Sequence, residues 1–109
     1  MEPISIDDFK KVEIKIGEIK SAEKIEGSDK LLKLLVNFGA EDRQVLSGIA
    51  AYFPEPQTLV GKKCPFVTNL APRMMMGLES QAMILATGGD GETPFSLFET
   101  NGTPGARVR

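Results

Sequence analysis

The sequence predicts an all-β domain of the OB-fold type. The expected form is a five-stranded Greek-key barrel with a short helical insertion between strands three and four and short N- and C-terminal extensions. Three observations predict it. Five or six short apolar or alternating segments are separated by turn-forming residues, the pattern of a small closed sheet. One stretch, 50–63, breaks that alternation between the third and fourth segments, where an SH3-type barrel would lack an insertion of this length. At 109 residues the chain suits a single domain, 1–109, with one core that removes roughly two thirds of its surface from water.

The elements follow in order. "SIDDF" (5–9) places a serine cap before two acidic residues and suits one helical turn. From Val12 the period becomes two, with Val12, Ile14 and Ile16 on one face and Glu13 and Lys15 on the other. Beyond Gly17 the phase reverses and Ile19 is apolar, so a bulge or bend is expected at the glycine. "EGSDK" (26–30) is turn chemistry. "LLKLLVNF" (31–38) reads as a second strand, apolar enough to bury much of both faces.

"GAEDR" (39–43) turns into a third strand, "QVLSGI" (44–49). "AAYFPEPQTLVGKK" (50–63) holds two prolines that cannot donate to a ladder, and reads as a helical turn with an ordered crossover. "CPFVTNL" (64–70) is the fourth strand, "SQAMILAT" (80–87) the fifth and "FSLFE" (95–99) a short addition. "TNGTPGARVR" (100–109) is a turn with a basic end.

Composition removes several function classes. Hydrophobic residues make up 41% and charged residues 26%, an ordinary globular balance. The longest apolar runs, "LLKLLV" and "AMILA", fall far short of the roughly 20 residues a membrane-spanning helix needs. The acidic N-terminus does not resemble an export signal, so a cytoplasmic protein with no membrane partner is expected. Without histidine and with one cysteine, Ser-His-Asp catalysis, Cys-His catalysis and the usual structural zinc sites lack their side chains. Acidic residues alternate with lysines as on solvated faces. The expectation is a binding domain with no catalytic residue, metal or cofactor, in which Cys64 is a small buried side chain.

The net charge of −2 does not by itself suggest a polyanion. Its distribution is uneven: Lys62, Lys63 and Arg73 outnumber Glu79 in 61–80, whereas Glu41, Asp42 and Glu55 outnumber Arg43 in 41–60. Scatter and a basic loop both fit.

In an OB-fold, oligonucleotides bind the face of strands two and three and the loops joining strands one to two and four to five. Ser28 and Lys30 fall in the first of these loops, Ser47 and Gly48 at the end of strand three, and Asn69, Arg73, Ser80 and Gln81 around the last loop. Together they offer donors and acceptors suited to phosphate, ribose and base edges. Each also has a local explanation: Ser28 and Asp29 as turn formers, Gly48 as a bend, Ser80 as a cap. The last loop, "APRMMMGLESQAM" (71–83), carries Met74, Met75 and Met76 in succession, more than one face of a strand or helix could bury.

Stacking aromatics are scarce, with one tyrosine, Tyr52, and no tryptophan, while Phe38, Phe53 and Phe66 sit in or beside apolar segments. Generic single-strand binding is therefore disfavoured. Recognition of a folded RNA through its backbone and 2′-hydroxyls needs fewer aromatics.

"SDKLLKLLVNFG" (28–39), "RQVLSGIAAYF" (43–53), "LVGKK" (59–63), "NLAPRMMMGLESQAMILA" (69–86) and "PGARVR" (104–109) resemble, in collinear order, the tRNA-binding domain at the C-terminus of many methionyl-tRNA synthetases. The same domain occurs as free-standing structure-specific tRNA-binding proteins, as CsaA-like chaperones and in eukaryotic synthetase cofactors. The resemblance implies a homodimer that binds the outer corner of tRNA with little sequence preference, with a synthetase catalytic domain as a further partner. Carried over, the RNA-facing positions are Ser28, Lys30, Ser47, Asn69, Arg73, Ser80, Gln81 and Met83. The dimer positions include Phe9 and, in the C-terminal extension, Pro104, Gly105 and Val108. A CsaA-like chaperone using the methionine-rich loop is the alternative. Two positions depart from the family: Met74 to Met76 stand where relatives carry basic residues, and Ala82 stands where they carry glycine. Fewer cations imply weaker phosphate attraction and a shallower salt dependence.

Overall fold

The computed structural model describes residues 1–109. Its centre is β1, Ile14–Lys24, which is long enough to pair with β2 (Leu32–Asn37) and β4 (Lys63–Val67). With β3 (Asp42–Ser47) and β7 (Met83–Ile84) they form a five-stranded antiparallel sheet in the order β3-β2-β1-β4-β7, curled into an OB-like barrel.

The core follows from alternation. On β2, Leu32, Leu34 and Val36 point inward and are fully buried, against Val45 of β3, Ile19 of β1, Cys64 and Phe66 of β4 and Ile84 of β7. Burying each large side chain contributes about 1.5–3 kcal/mol. Phe38 meets Phe66 edge to face at 5.4 Å. The outward Leu35 is 40% exposed, so β2 buries one face and not the two that its apolar run suggested.

The insertion between β3 and β4 consists of two 3-10 turns, Ala50–Tyr52 and Pro56–Leu59. Leu59 is completely buried against β1 and closes one end of the barrel. At the N-terminus, α1 (Ile6–Phe9) is capped as expected, with the Ser5 hydroxyl accepting from Asp8 N–H at 3.0 Å.

Two strand expectations are corrected. The register shift in β1 lies between Ile19 and Ser21, not at Gly17. Gly17 is needed for packing, because a Cβ there would run into Val36 and Phe38. Ile14 and Ile16 share the outward face with Pro65 and Val67, while Gly17 and Cys64 face the core. The C-terminal segment adds to the sheet at the edge of β1 beside that face: Ile16 N–H donates to the Ala106 carbonyl at 2.9 Å and Val108 N–H to the Ile14 carbonyl at 2.8 Å. The apparent phase reversal therefore records two apolar faces on one continuous strand.

The expected fifth strand, 80–87, is divided. Ser80 ends β6 (Leu78–Ser80), Met83–Ile84 form β7, and Ala86–Thr87 form β8, which pairs with β9 (Ser96–Leu97) in a separate two-stranded sheet. The remaining segment, β5 (Arg73–Met75), pairs with β6.

Candidate nucleic-acid interface

The loop between β4 and β7 is a built structure. Arg73 to Met75 pair with Leu78 to Ser80, and the connecting Met76 and Gly77 both adopt positive φ, 53° and 76°. Two successive left-handed residues match the tight turn that suits the twist of a hairpin. Met76 occupies a conformation that normally favours glycine or asparagine.

The segment after the hairpin then closes the barrel against β3. Gln81 N–H donates to Gln44 O at 2.8 Å, and Gln44 N–H donates back to the Gln81 side-chain oxygen at 3.0 Å. Leu46 N–H donates to the Ser80 hydroxyl at 3.0 Å, and the Gln44 amide donates to Glu79 O at 2.9 Å. Side chains thus occupy places that a regular ladder would give to backbone groups. Below them, Arg43 donates to the carbonyls of Thr68 and Gln81, one at each end of the loop, while Glu41 pairs with its guanidinium at 2.7 Å.

This geometry sorts the residues expected to face RNA. Ser47, Arg73, Ser80 and Met83 come together, lining a cleft of about 200 Å³ between the end of β3 and the hairpin. Arg73 is exposed and makes no ion pair. Lys30 is exposed on the β1–β2 loop, which Ser28 shapes by accepting from Lys30 N–H at 3.3 Å and Leu31 N–H at 3.2 Å. The two loops meet, since the Met76 methyl lies 3.6 Å from where a Cβ of Gly27 would be.

The side chains of Asn69, Ser80 and Gln81 are engaged by backbone groups of the chain itself. Asn69 accepts from Glu13 N–H at 2.8 Å and donates to Lys11 O at 2.7 Å, holding the entry to β1. Ser80 is buried, with its hydroxyl between Leu46 and Ala82. Arg43 and Gln44 are the residues that sequence reasoning passed over. Nothing in their local pattern distinguishes them from solvated strand residues, because their partners lie 25 to 38 positions away.

Charge and ionisation are simple here. Lys62 pairs with Glu99 at 3.1 Å, well away from the cleft, so the cationic excess of 61–80 does not form one patch. Glu13 is held below its ordinary value, chiefly by the Thr68 hydroxyl at 2.6 Å, with Lys15, Arg107 and Arg43 helping against partial burial. Burial pushes the Cys64 thiol up to about 11, which leaves it protonated at neutral pH.

The positions expected to pair protomers divide in the same way. Phe9 and Val108 are exposed and share a shallow depression with Val12 and Arg107. Next to it, Ile14, Ile16, Pro65, Leu85 and Phe98 line an almost wholly apolar hollow that also reaches Val108. Pro104 and Gly105 belong to the strap along the edge of β1: Gly105 N–H donates to Ile16 O at 2.7 Å, and a Cβ there would strike the Phe38 carbonyl.

Comparison with known proteins agrees with this architecture. The family described as "Putative tRNA binding domain" matches residues 14–107. A methionine–tRNA ligase of Caldanaerobacter subterraneus subsp. tengcongensis is 43% identical over 105 residues, which cover 96% of this chain and 16% of the ligase. The chain therefore spans about one sixth of that relative's length. The crystal structure of a MetRS related protein from Pyrococcus horikoshii superposes with a TM-score of 0.92 at 40% identity, covering 100% of both chains. A CsaA chaperone protein from Picrophilus torridus follows with a TM-score of 0.84 at 26% identity, over 98% of this chain and 100% of that one. The chain belongs to the tRNA-binding domain family.

Proposed function

We propose that this chain is a non-catalytic, structure-specific tRNA-binding module that serves methionyl-tRNA synthetase in the cytoplasm. It acts as the synthetase's C-terminal domain or separate β subunit, raising its affinity for tRNA. The observation that carries this reading is Arg73, an exposed guanidinium with no carboxylate partner. It sits on a hairpin braced by Arg43 and Gln44, beside a cleft that Ser47 and Met83 share. In this reading Lys30, Ser47, Arg73 and Met83 touch RNA. Ser28, Asn69, Ser80 and Gln81 hold the surface in shape through the hydrogen bonds described above.

The module works as a homodimer through the face of Phe9, Val108 and the neighbouring hollow, with Pro104 and Gly105 fixing the strap that presents Val108. Pairing makes engagement of the second site effectively intramolecular, so each site needs only modest affinity. The test is a titration with folded tRNA and with an unstructured RNA of equal length across a salt series, alongside a hydrodynamic mass. Folded tRNA binds more tightly, and Arg73→Ala costs roughly 1 kcal/mol or more of affinity and lowers the salt slope by about 0.7–0.9. Equal binding of the two RNAs would sink the reading, and a monomeric mass would sink the dimer.

One observation favours a second reading. Met74 and Met76 are 67% and 55% exposed at the hairpin, an adaptable apolar surface of the kind a CsaA-like chaperone would use. That reading expects peptide binding that survives high salt and is lost in Met74→Ser with Met75→Ser, while Arg73→Ala has little effect.

A further inference from the structure

Gly48 stands out among the glycines of the chain. Of the 11 glycines, eight adopt positive φ, and Gly17 and Gly102 have neighbours that an added Cβ would touch. Gly48 has neither: its φ is not positive, and a Cβ built there meets nothing within 4 Å. Glycine carries a conformational-entropy cost on folding, and the usual reasons to accept it are a special backbone angle or a close approach. The backbone bends at Gly48 as expected, but without the positive φ that would require glycine, and no neighbour in the chain needs the space, so the bare backbone is open to close approach from outside the chain.

Its location indicates what approaches there. Gly48 follows β3 and lines the cleft with Leu46, Leu70 and Met83, and Arg73 lines it from the hairpin. A cavity of about 150 Å³ lined by aliphatic side chains accepts benzene. The cleft here, about 200 Å³, has room for one somewhat larger planar ring. Met75 and Met83 supply thioethers, which make favourable contacts with aromatic rings and stand in for the scarce stacking aromatics. The Ser80 hydroxyl is already engaged, which leaves the Ser47 hydroxyl and the Arg73 guanidinium as the polar side chains on the walls, and with Arg73 taken by a phosphate too little remains to read a base edge.

We propose that this cleft seats one unstacked nucleobase of the bound tRNA. The ring lies against the bare backbone of Gly48 and the apolar walls of Leu46, Leu70 and Met83, and Arg73 meets the adjoining phosphate. Such a seat detects that a base is unpaired without detecting which base it is, as structure-specific recognition requires. The inference rests on the tRNA reading above.

The experiment compares wild type with Gly48→Ala by thermal unfolding and by titration of folded tRNA across a salt series. A second arm adds adenosine monophosphate to ¹⁵N-labelled wild type and follows the backbone amides. Because an alanine Cβ meets open space, the melting temperature stays unchanged or rises. The affinity for tRNA falls about tenfold, within the range for loss of one stacked base, while the salt slope is retained because no phosphate contact is removed. Amide shifts at Ser47 and Gly48 accompany the nucleotide. A Gly48→Ala variant that binds tRNA like wild type overturns the base seat and leaves the tRNA reading standing. A lowered melting temperature, or loss of peptide binding with tRNA binding intact, overturns it as well. If wild type does not prefer folded tRNA to unstructured RNA, the tRNA reading fails and the base seat fails with it.

Discussion

The guanidinium of Arg43 donates to the carbonyl of Thr68 at 2.6 Å, and the same nitrogen reaches Gln81 at 3.3 Å, so one side chain joins both ends of the loop that carries Arg73. The hairpin therefore has a closed neck, and its position relative to β3 is set by hydrogen bonds from outside the loop itself.

Removing that neck should affect fold and binding together. Hydrogen bonds to charged groups contribute about 1.5–3 kcal/mol, so Arg43→Ala is expected to lose roughly 2 kcal/mol in urea unfolding. Amide exchange at Gln44 and Gln81 should accelerate, and tRNA affinity should fall although Arg43 does not line the cleft. Arg43→Lys should restore little, because an ammonium cannot serve Thr68, Gln81 and Glu41 in a fixed planar fork. Wild-type stability in Arg43→Ala would refute the closed neck.

Ser80→Ala removes the acceptor for Leu46 N–H in a buried place. An orphaned buried donor costs about 1–3 kcal/mol, and the loss should appear in the unfolding free energy, with faster exchange at the Leu46 amide. Unchanged exchange there would show that another acceptor takes over.

Met76 sits at φ 53° in the hairpin turn, where an L side chain is strained by about 1–2 kcal/mol. Met76→Asn, which tolerates this conformation, should gain roughly 0.5–1 kcal/mol after loss of the contact with Gly27, read as a raised melting temperature. A lowered melting temperature would mean that the contact between the two loops outweighs the strain.

The acid limb of stability should depend on Glu13. Its folded-state pKa lies below the ordinary 4.5, so its stabilisation is fully present above that pH and is lost as pH falls through the lower folded value. Urea midpoints of wild type and Glu13→Gln should differ at pH 7 and converge progressively as the pH falls below 4.5. A constant difference across that range would assign the effect to packing.

Much of the barrel was legible because its causes are local. Apolar segments between turn residues marked β2 and β3, Ser5 announced the first helical turn, and paired prolines located the crossover. The reading of β1 went astray where alternation alone cannot tell a core-facing residue from one on a second apolar face. Ile14 and Ile16 point to a second apolar face, which they share with Pro65, Leu85 and Phe98, and Gly17 is glycine because Val36 and Phe38 need the space. The hairpin was missed because each of its strands has only three residues, and its turn uses methionine where asparagine or glycine would have signalled it.

The sequence by itself determined the fold class, the lack of histidine chemistry and the neighbourhood of the candidate site, since these depend on composition, periodicity and turn residues read along the chain. Tertiary structure decided what each polar side chain in that neighbourhood does. Asn69, Ser80 and Gln81 look like ligands in the sequence, yet their hydrogen bonds go to Glu13, Leu46 and Gln44, 56, 34 and 37 positions away. Arg73 and Gly48 keep an open side towards the cleft. A side chain's donors and acceptors are written in the sequence, but whether they are already engaged depends on which distant segment the fold brings within about 3 Å.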